Sequence, residues 1–146
     1  MGADSEVEQI EDAAGTVAVA VLVEDPLAGA TAHLLGLSRI VEEVPVICGV
    51  HGTDPRRRMW HWLGRVKEMG FSGVNNFPTH YIVDGQFRGV LEETGMSVKK
   101  EFEMIALAHR MDLFTIVYVA TPDEAKAMAQ AGADAIIAHV GTTVGG

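Results

Sequence analysis

Short apolar runs alternate along this chain with longer stretches in which apolar residues recur at helical spacing. Continuous apolar runs are typical of strands that are buried on both faces, as in parallel sheets covered by helices. The runs that predict strands are 16–23, 45–50, 72–77, 114–119 and 134–139. The stretches between them predict four amphipathic helices, over 26–44, 55–69, 97–110 and 122–131.

Turn and capping residues mark the joints between these elements. Asp54-Pro55 predicts a helix start, since the carboxylate can accept free backbone N–H groups and proline at the first helical position loses no needed donor. Gly70 predicts the end of that helix. Thr121-Pro122, followed by two acids, predicts another start. Residues 79–96 are expected to form a long loop that turns at Asp84-Gly85 and ends at an N-cap, Ser97.

The alternation of strand and helix predicts an α/β fold with parallel strands. About five strands are too few for a closed (β/α)₈ barrel, which takes ~250 residues. We therefore expect a partial TIM barrel over 16–146, and a flavodoxin-like open sheet is the structural alternative. Residues 1–15 read as a separate acidic segment, poorly ordered and partly helical around 7–14.

The composition limits which binding partners and which cellular compartment we expect. A net charge of −9 argues against nucleic acid and against an anionic membrane surface, because both would be repelled. No apolar run approaches the ~20 residues of a membrane span, and the N-terminus has no targeting pattern. The single cysteine, Cys48, has no intrachain disulfide partner, which fits a reduced cytoplasmic setting.

In parallel α/β folds the chemistry lies at the carboxyl ends of the strands. Several polar residues follow the predicted strands and would share one mouth with Tyr118: His51, Gly52, Thr53, Asp54, Asn75, Asn76, Thr79, His139, Thr142 and Thr143. The glycine-rich end around Thr143, Gly145 and Gly146 can present consecutive backbone N–H groups to a phosphate, with Gly52, Thr53, Asp54 and Thr79 as further substrate-binding candidates.

Three residues are candidates for the chemistry itself. His139, at a strand end, is the better acid–base candidate among the histidines; Glu93 is the second, and Asn76 would orient the substrate. Glu92 or Glu93 could help to bind Mg²⁺, a possible cofactor. Zinc on His51 and His139 has no supporting spacing, and Trp60 and Trp62 fit helix packing better than a ligand platform.

Several motifs together resemble the phosphoenolpyruvate hydrolase-like TIM-barrel family, also described as indole-glycerol-phosphate-synthase-like. They are GVHGTDP (49–55), GFSGVNNFPT (70–79), DGQFR (84–88), LEETGM (91–96) and AHVGTTVGG (138–146). That family includes the C-terminal half of plant tobamovirus-resistance proteins, and the resemblance covers 45–146, roughly the middle of its domain. The first ~15 residues do not resemble the family's opening strand and turn, and its last strands are absent.

The resemblance implies an enzyme-type barrel of the phosphoenolpyruvate mutase and isocitrate lyase kind, acting on a small phosphorylated or carboxylated acid. The expected partner is thus a small anionic metabolite. The alternatives are a non-catalytic barrel that regulates by binding a ligand or a protein, and an inactive fragment. Unpaired sheet edges would favour association, so a homo-oligomer is plausible.

Overall fold

The computed structural model of the chain describes residues 7–11, 17–22, 45–83 and 85–139. Its strands are β1 (Val7–Glu11), β2 (Val17–Leu22), β3 (Val46–Gly49), β4 (Gly73–Asn75), β5 (Phe114–Val119) and β6 (Ala135–Ala138). Its helices are α1 (Met59–Glu68), α2 (Gly85–Glu93), α3 (Val98–Arg110) and α4 (Pro122–Gln130), with a 3₁₀ turn over His80–Ile82.

The six strands form one sheet in the order of the sequence, β1 to β6. Strand β1 pairs antiparallel with β2, whereas every later neighbouring pair is parallel. A flavodoxin-like sheet reverses its strand order at a switch point, and this sheet does not. Sequential parallel strands that alternate with helices are the arrangement of a partial TIM barrel, so the predicted fold class is confirmed.

The core lies between the sheet and helices α1, α3 and α4. One face of β3, β4 and β5 supplies Val46, Cys48, Val50, Val74, Val117 and Val119 to this core. The helices supply Leu63, Val66, Met104, Ile105, Ala108 and Met128. Because all these side chains are buried, the helices are fixed on that face, and the strand ends are held in place for the side chains that follow them.

The predicted start of the second helix was wrong. Helix α1 begins at Met59, with Arg58 as an N-cap that makes no side-chain bond, and not at Pro55. The Asp54 carboxylate instead accepts the backbone N–H of Arg56 at 2.9 Å and pairs with the guanidinium of Arg57 at 2.9 Å. This turn chemistry explains two of the basic residues before the helix, since Arg56 and Arg57 neutralise Asp54.

The long loop predicted over 79–96 contains a helix, α2, at the carboxyl-end side of β4. Gly85, at its start, has a φ of +60°, which fits the predicted turn. None of the side chains of α2 is fully buried, so the sequence has no periodic pattern of buried apolar residues that would predict this helix. Ser97 is the N-cap of α3 but makes no side-chain cap bond, whereas Thr121 and Glu124 form a complete capping box on α4.

The N-terminal part of the chain was predicted less well. Val7–Glu11 forms β1 and not part of a helix, because it pairs along its whole length with β2. The first predicted strand is confirmed as β2, with slightly shorter bounds. The helix predicted over 26–44 lies outside the described residues, and the division of the chain at residue 15 stays a prediction.

Candidate functional site

A buried carboxylate, Glu101, is the centre of the polar side chains near the strand ends. It lies on α3, is fully buried, and accepts three hydrogen bonds. The donors are Asn76 Nδ2 at 2.7 Å, Thr79 Oγ1 at 2.7 Å and the backbone N–H of His80 at 2.7 Å. Both carboxylate oxygens are therefore engaged by the segment that follows β4, and α3 is tied to the mouth of the sheet.

Glu101 changes its protonation state near neutral pH. Burial raises its pKa from 4.5 to about 7, against the three donors, which favour the charged form; the charge of Glu124 raises the pKa further. A carboxyl group with this pKa can be either charged or neutral at physiological pH. The space beside Glu101, next to Thr79, Tyr81 and Tyr118, is too narrow to admit a water molecule.

Asn76 joins β4 to β5 through its side-chain amide. Its Oδ1 accepts the backbone N–H of Tyr118 at 2.7 Å, and its Nδ2 donates to the Tyr118 carbonyl at 3.0 Å. The same Nδ2 reaches Glu101 and, at 3.3 Å, Thr79 Oγ1. The amide of this fully buried residue is thus engaged by the protein itself, which makes Asn76 a structural tie between strands. Its predicted role in orienting a substrate stays a prediction.

His139 packs against two tyrosines at the end of β6. Its ring centroid lies 4.9 Å from that of Tyr81 and 5.9 Å from that of Tyr118, and the backbone N–H of His139 donates to the Val119 carbonyl at 2.9 Å. Tyr118 is the residue whose backbone Asn76 holds. The predicted acid–base residue is therefore two contacts away from Asn76 and three from Glu101.

Two further histidines lie at this end of the sheet. His51 Nε2 is 2.8 Å from Thr53 Oγ1. Burial lowers the pKa of His51, with an opposing effect from Asp54. Burial also lowers the pKa of His80, where the charge of Glu92 opposes and those of His51 and Arg88 assist. His80 Nδ1 is buried and has no hydrogen-bond partner among the described residues.

Helix α2 is attached to this region by two contacts. Arg88 pairs with Glu124 at 2.9 Å, and Glu92 Oε1 accepts the backbone N–H of Val98 at 3.1 Å. Burial by itself would raise the pKa of Glu124, but the Ala120 N–H and Arg88 lower it more, so that the net pKa lies below its usual value. Glu92, and not Glu93, thus faces the strand ends.

The predicted site residues fall into four groups. Asn76 and Thr79 contact Glu101 at the strand ends, and His139 is connected to them through Tyr118. Gly52, Thr53 and Asp54 line a groove on the outer side of this region. Glu93 is exposed on α2, and the structure does not bring it to the others. Thr142, Thr143, Gly145 and Gly146 lie outside the described residues, and their phosphate-binding role stays a prediction.

Sequence reasoning missed Glu101, the most deeply buried charged group described. A usable signal was present, because Glu101 precedes Ile105 by four residues and Ala108 by seven, which places it on the apolar face of α3. An acid on that face needs hydrogen-bond partners, and Asn76 and Thr79 were already candidates. The sequence pattern predicted an apolar face of Phe102, Ile105, Ala106 and His109. The buried face is rotated from it and contains Glu101, Met104, Ile105 and Ala108.

The metal expectation finds no support in this geometry. Among the residues that the structure describes, no group of three or more His, Cys, Asp or Glu side chains could hold a metal ion. Glu92 is engaged with the start of α3, whereas Glu93 is exposed. The predicted role of Glu92 or Glu93 in binding Mg²⁺ stays a prediction.

Comparison with known proteins identifies the family of this chain. The family model described as phosphoenolpyruvate hydrolase-like matches residues 30–146. The chain belongs to the phosphoenolpyruvate hydrolase-like family. The resemblance seen in the motifs is thereby confirmed, and the family match spans β3 to β6 with all four helices described.

Two tomato (Solanum lycopersicum) proteins resemble this family member closely. They are the ToMV resistance protein Tm-1(GCR237) and the ToMV susceptible protein tm-1(GCR26), and each is 52% identical over 125 residues. The match covers 83% of this chain and 17% of either tomato protein. Because both forms match equally, the similarity does not favour the resistant form over the susceptible one.

One bacterial relative is named for a regulatory role. The y4pA protein of Sinorhizobium fredii (strain NBRC 101917 / NGR234), named as a candidate transcriptional regulatory protein, is 38% identical over 104 residues. That match covers 71% of this chain and 17% of the bacterial protein. The chain therefore spans only a small part of the length of these relatives. None of the helices in the described ranges has the length and hydrophobicity needed to cross a bilayer.

Proposed function

We propose that the strand ends form the acid–base site of an enzyme that acts on a small phosphorylated or carboxylated acid. The observation that carries this proposal is the series of contacts from Glu101 through Asn76 and Tyr118 to His139. It links a buried carboxyl group, whose pKa is about 7, to an imidazole at the carboxyl end of β6. In parallel α/β folds this is where substrates react.

In this proposal His139 is the residue that transfers the proton. It is half-buried beside Tyr81 and Tyr118, so its ring is held in one orientation while part of it stays open to solvent. Glu101 is a positioning residue, because it is closed off from water and acts through Asn76 and Thr79. Thr143, Gly145 and Gly146, which follow β6 in sequence, would hold the anionic group of the substrate.

The polar groups of the mouth suit an anionic substrate. Burial lowers the pKa of His51 and His80, so these imidazoles favour the neutral form, in which one ring nitrogen can donate a hydrogen bond to an anion. The nearby positive charge is that of Arg88, which also lowers the pKa of His80 and is paired with Glu124. The family description names phosphoenolpyruvate, which carries both a phosphate and a carboxylate, and this makes it the first probe.

The test is turnover of phosphoenolpyruvate by the full 146-residue chain, followed by release of pyruvate and inorganic phosphate. The His139→Ala variant should lose about 10²-fold or more of the rate, as expected for a general acid–base residue. The matched control is His109→Ala, because His109 is exposed in the last turn of α3 and lies beside Gly132, before the start of β6. Equal rates for wild type and His139→Ala would contradict the catalytic assignment.

A second candidate function is a non-catalytic barrel that binds a small anion as a regulator. The narrow space beside Glu101 favours it, because the buried cluster admits no water for a hydrolytic step. The regulatory name of the bacterial relative is consistent with it. Phosphoenolpyruvate should then raise the thermal midpoint without being consumed, since a ligand that binds only the folded state stabilises it. Self-association of the chain would be compatible with either function.

A further inference from the structure

A groove of about 510 Å³ lies on the outer side of the strand-end region. The segment from Gly52 to Arg57 and the start of α1 form one wall, and the outward face of α3 forms the other. Residues 94–96, between α2 and α3, complete the lining. Its volume falls in the range of sites for small organic molecules, about 300–1,000 Å³.

The groove has an apolar lining with one prominent aromatic ring. Its apolar side chains are Met59, Trp60, Met96, Met104 and Leu107. Trp60 is 59% exposed, so the prediction that it packs within the protein was wrong, whereas Trp62 does pack against the core. An exposed indole at the edge of a groove offers a flat surface on which a planar apolar group can stack.

Three cations stand among these apolar groups: Arg57, Lys100 and Arg110. Arg57 is paired with Asp54, and Lys100 with Glu103 at 2.8 Å, so the two acids of the groove are both neutralised. For Arg110, no ion pair occurs within the part of the chain that the structure describes. The groove therefore has one cation in excess, on a protein whose net charge is −9.

We propose that this groove is a second binding site, for a small amphipathic organic anion with a flat apolar body. The body would stack on Trp60 between the methionines, and the carboxylate, sulfonate or phosphate would pair with Arg110. The occupant is a small molecule with a single negative charge, because the groove has the volume of a small-molecule site and one cation in excess. This site is separate from His139 and does not rest on the proposed function.

Two residues of the groove contact residues of the strand-end region. Gly52 lines the groove and lies against Glu101 so closely that a Cβ at Gly52 would come within 3.0 Å of the Glu101 Cα. Thr53 also lines it and is bonded to His51. A molecule in the groove would therefore contact the backbone that supports the strand ends, which is the arrangement expected of a regulatory site.

The probe for this site is 2-naphthoate, with 2-naphthamide as its uncharged analogue, titrated calorimetrically into the full chain. We expect naphthoate to bind at least tenfold more tightly than naphthamide. Arg110→Ala and Trp60→Ala should each weaken naphthoate binding about tenfold or more. The matched controls are Arg65→Ala, an exposed arginine on α1, and Phe87→Ala, an exposed aromatic residue on α2, and both should bind as wild type does.

Four results would overturn the assignment. One is no binding of naphthoate at millimolar concentration. Another is equal binding of the charged and uncharged probes, which would indicate a general apolar surface. The third is equal loss of binding in the groove variants and in the controls. An acidic peptide that binds at Trp60 while naphthoate does not would also overturn it, in favour of a protein partner.

Discussion

The side chain of Asn76 forms two hydrogen bonds with the backbone of a single residue, Tyr118, at 2.7 Å from its Oδ1 and 3.0 Å from its Nδ2. An amide that both accepts and donates in this way replaces a missing rung of the β-ladder. It extends the pairing of β4 and β5 beyond the three residues of β4, to the place where the site begins.

Asn76→Ala should therefore be strongly destabilising. It would remove the acceptor of the Tyr118 N–H and one of the two donors to Glu101 Oε2 in the interior, which costs about 2–3 kcal/mol in the free energy of unfolding. Urea unfolding at pH 7 measures the effect. Gln130→Ala, at an exposed position on α4, should stay within about 0.5 kcal/mol of wild type. A similarly small loss for Asn76→Ala would show that the amide is not a tie between strands.

Substitution by alanine should have opposite effects on stability at two glycines. A Cβ at Gly73 would overlap the carbonyl oxygen of Phe114 on the neighbouring strand, so Gly73→Ala must separate β4 from β5. A loss of about 3 kcal/mol or more is expected. At Gly64, within α1, the nearest atom to a Cβ is Met111 Cε at 3.9 Å, and alanine should stabilise the helix by about 0.5–1 kcal/mol. Thermal unfolding of both variants distinguishes the two cases.

The pKa of Glu101 predicts the pH dependence of stability. Because this pKa is raised from 4.5 to about 7 on folding, the folded chain binds the proton more tightly than the unfolded chain. The stabilisation is complete below about pH 4.5 and is lost as the pH rises through about 7, with a span of about 3 kcal/mol as an upper estimate. Urea unfolding of wild type and Glu101→Gln, at intervals from pH 5 to 8, measures this.

The difference in the free energy of unfolding between wild type and Glu101→Gln should change with pH only within that window. Glu103→Gln is the control, since Glu103 is exposed on the same helix and its variant should follow the wild-type curve. A constant difference between wild type and Glu101→Gln across the range would mean that Glu101 stays charged throughout.

The Arg88–Glu124 ion pair should stabilise α2 locally. Removing the guanidinium in Arg88→Ala takes away one of the two contacts that attach this helix, none of whose residues is fully buried. Hydrogen exchange of the amides in 85–93 should become about tenfold faster, as for a loss of about 1.4 kcal/mol in a part-buried pair. Lys126→Ala, which breaks an exposed pair with Asp123, should leave this exchange unchanged. Unchanged exchange in Arg88→Ala would show that α2 is held by other contacts.

Cys48 should be inert in the folded protein. Its side chain is completely buried, and burial raises the pKa of the thiol to about 12, against a small lowering by Arg57. Labelling by a disulfide reagent at pH 8 should therefore require unfolding and run at least about 10³-fold more slowly than for free cysteine. Labelling at the rate of the free amino acid would contradict the position of β3 in the core.

The parts of the fold that the sequence predicted well are those set by local chemistry and repeated burial. Strand β5 was predicted with its observed bounds, since its apolar run is continuous and ends at the Thr121 cap. Helix α4 followed from that cap and from Pro122. These signals lie within a few residues of the elements that they specify.

The parts that were mispredicted depend on distant partners. Asp54 stands at a suitable place in the sequence for a helix cap. Two arginines bind its carboxylate instead, and α1 starts later in the chain. Glu101 contacts residues 21 to 25 positions away, so its role follows only when the fold is known. Helix α2 depends on Arg88 reaching Glu124 over 36 residues, and its exposed surface gave no burial pattern to predict.

The most direct test of the account is a pH titration of the Glu101 carboxyl carbon by ¹³C NMR, on glutamate-labelled chain with Glu101→Gln to assign the signal. The account predicts a midpoint near pH 7, with a parallel shift of the backbone amide signal of Tyr118 that disappears in Glu101→Gln, because Asn76 links the two groups. A midpoint at or below 4.5, with the Tyr118 amide signal unaffected by the variant, would contradict the central claim that a buried carboxyl group governs the strand-end site.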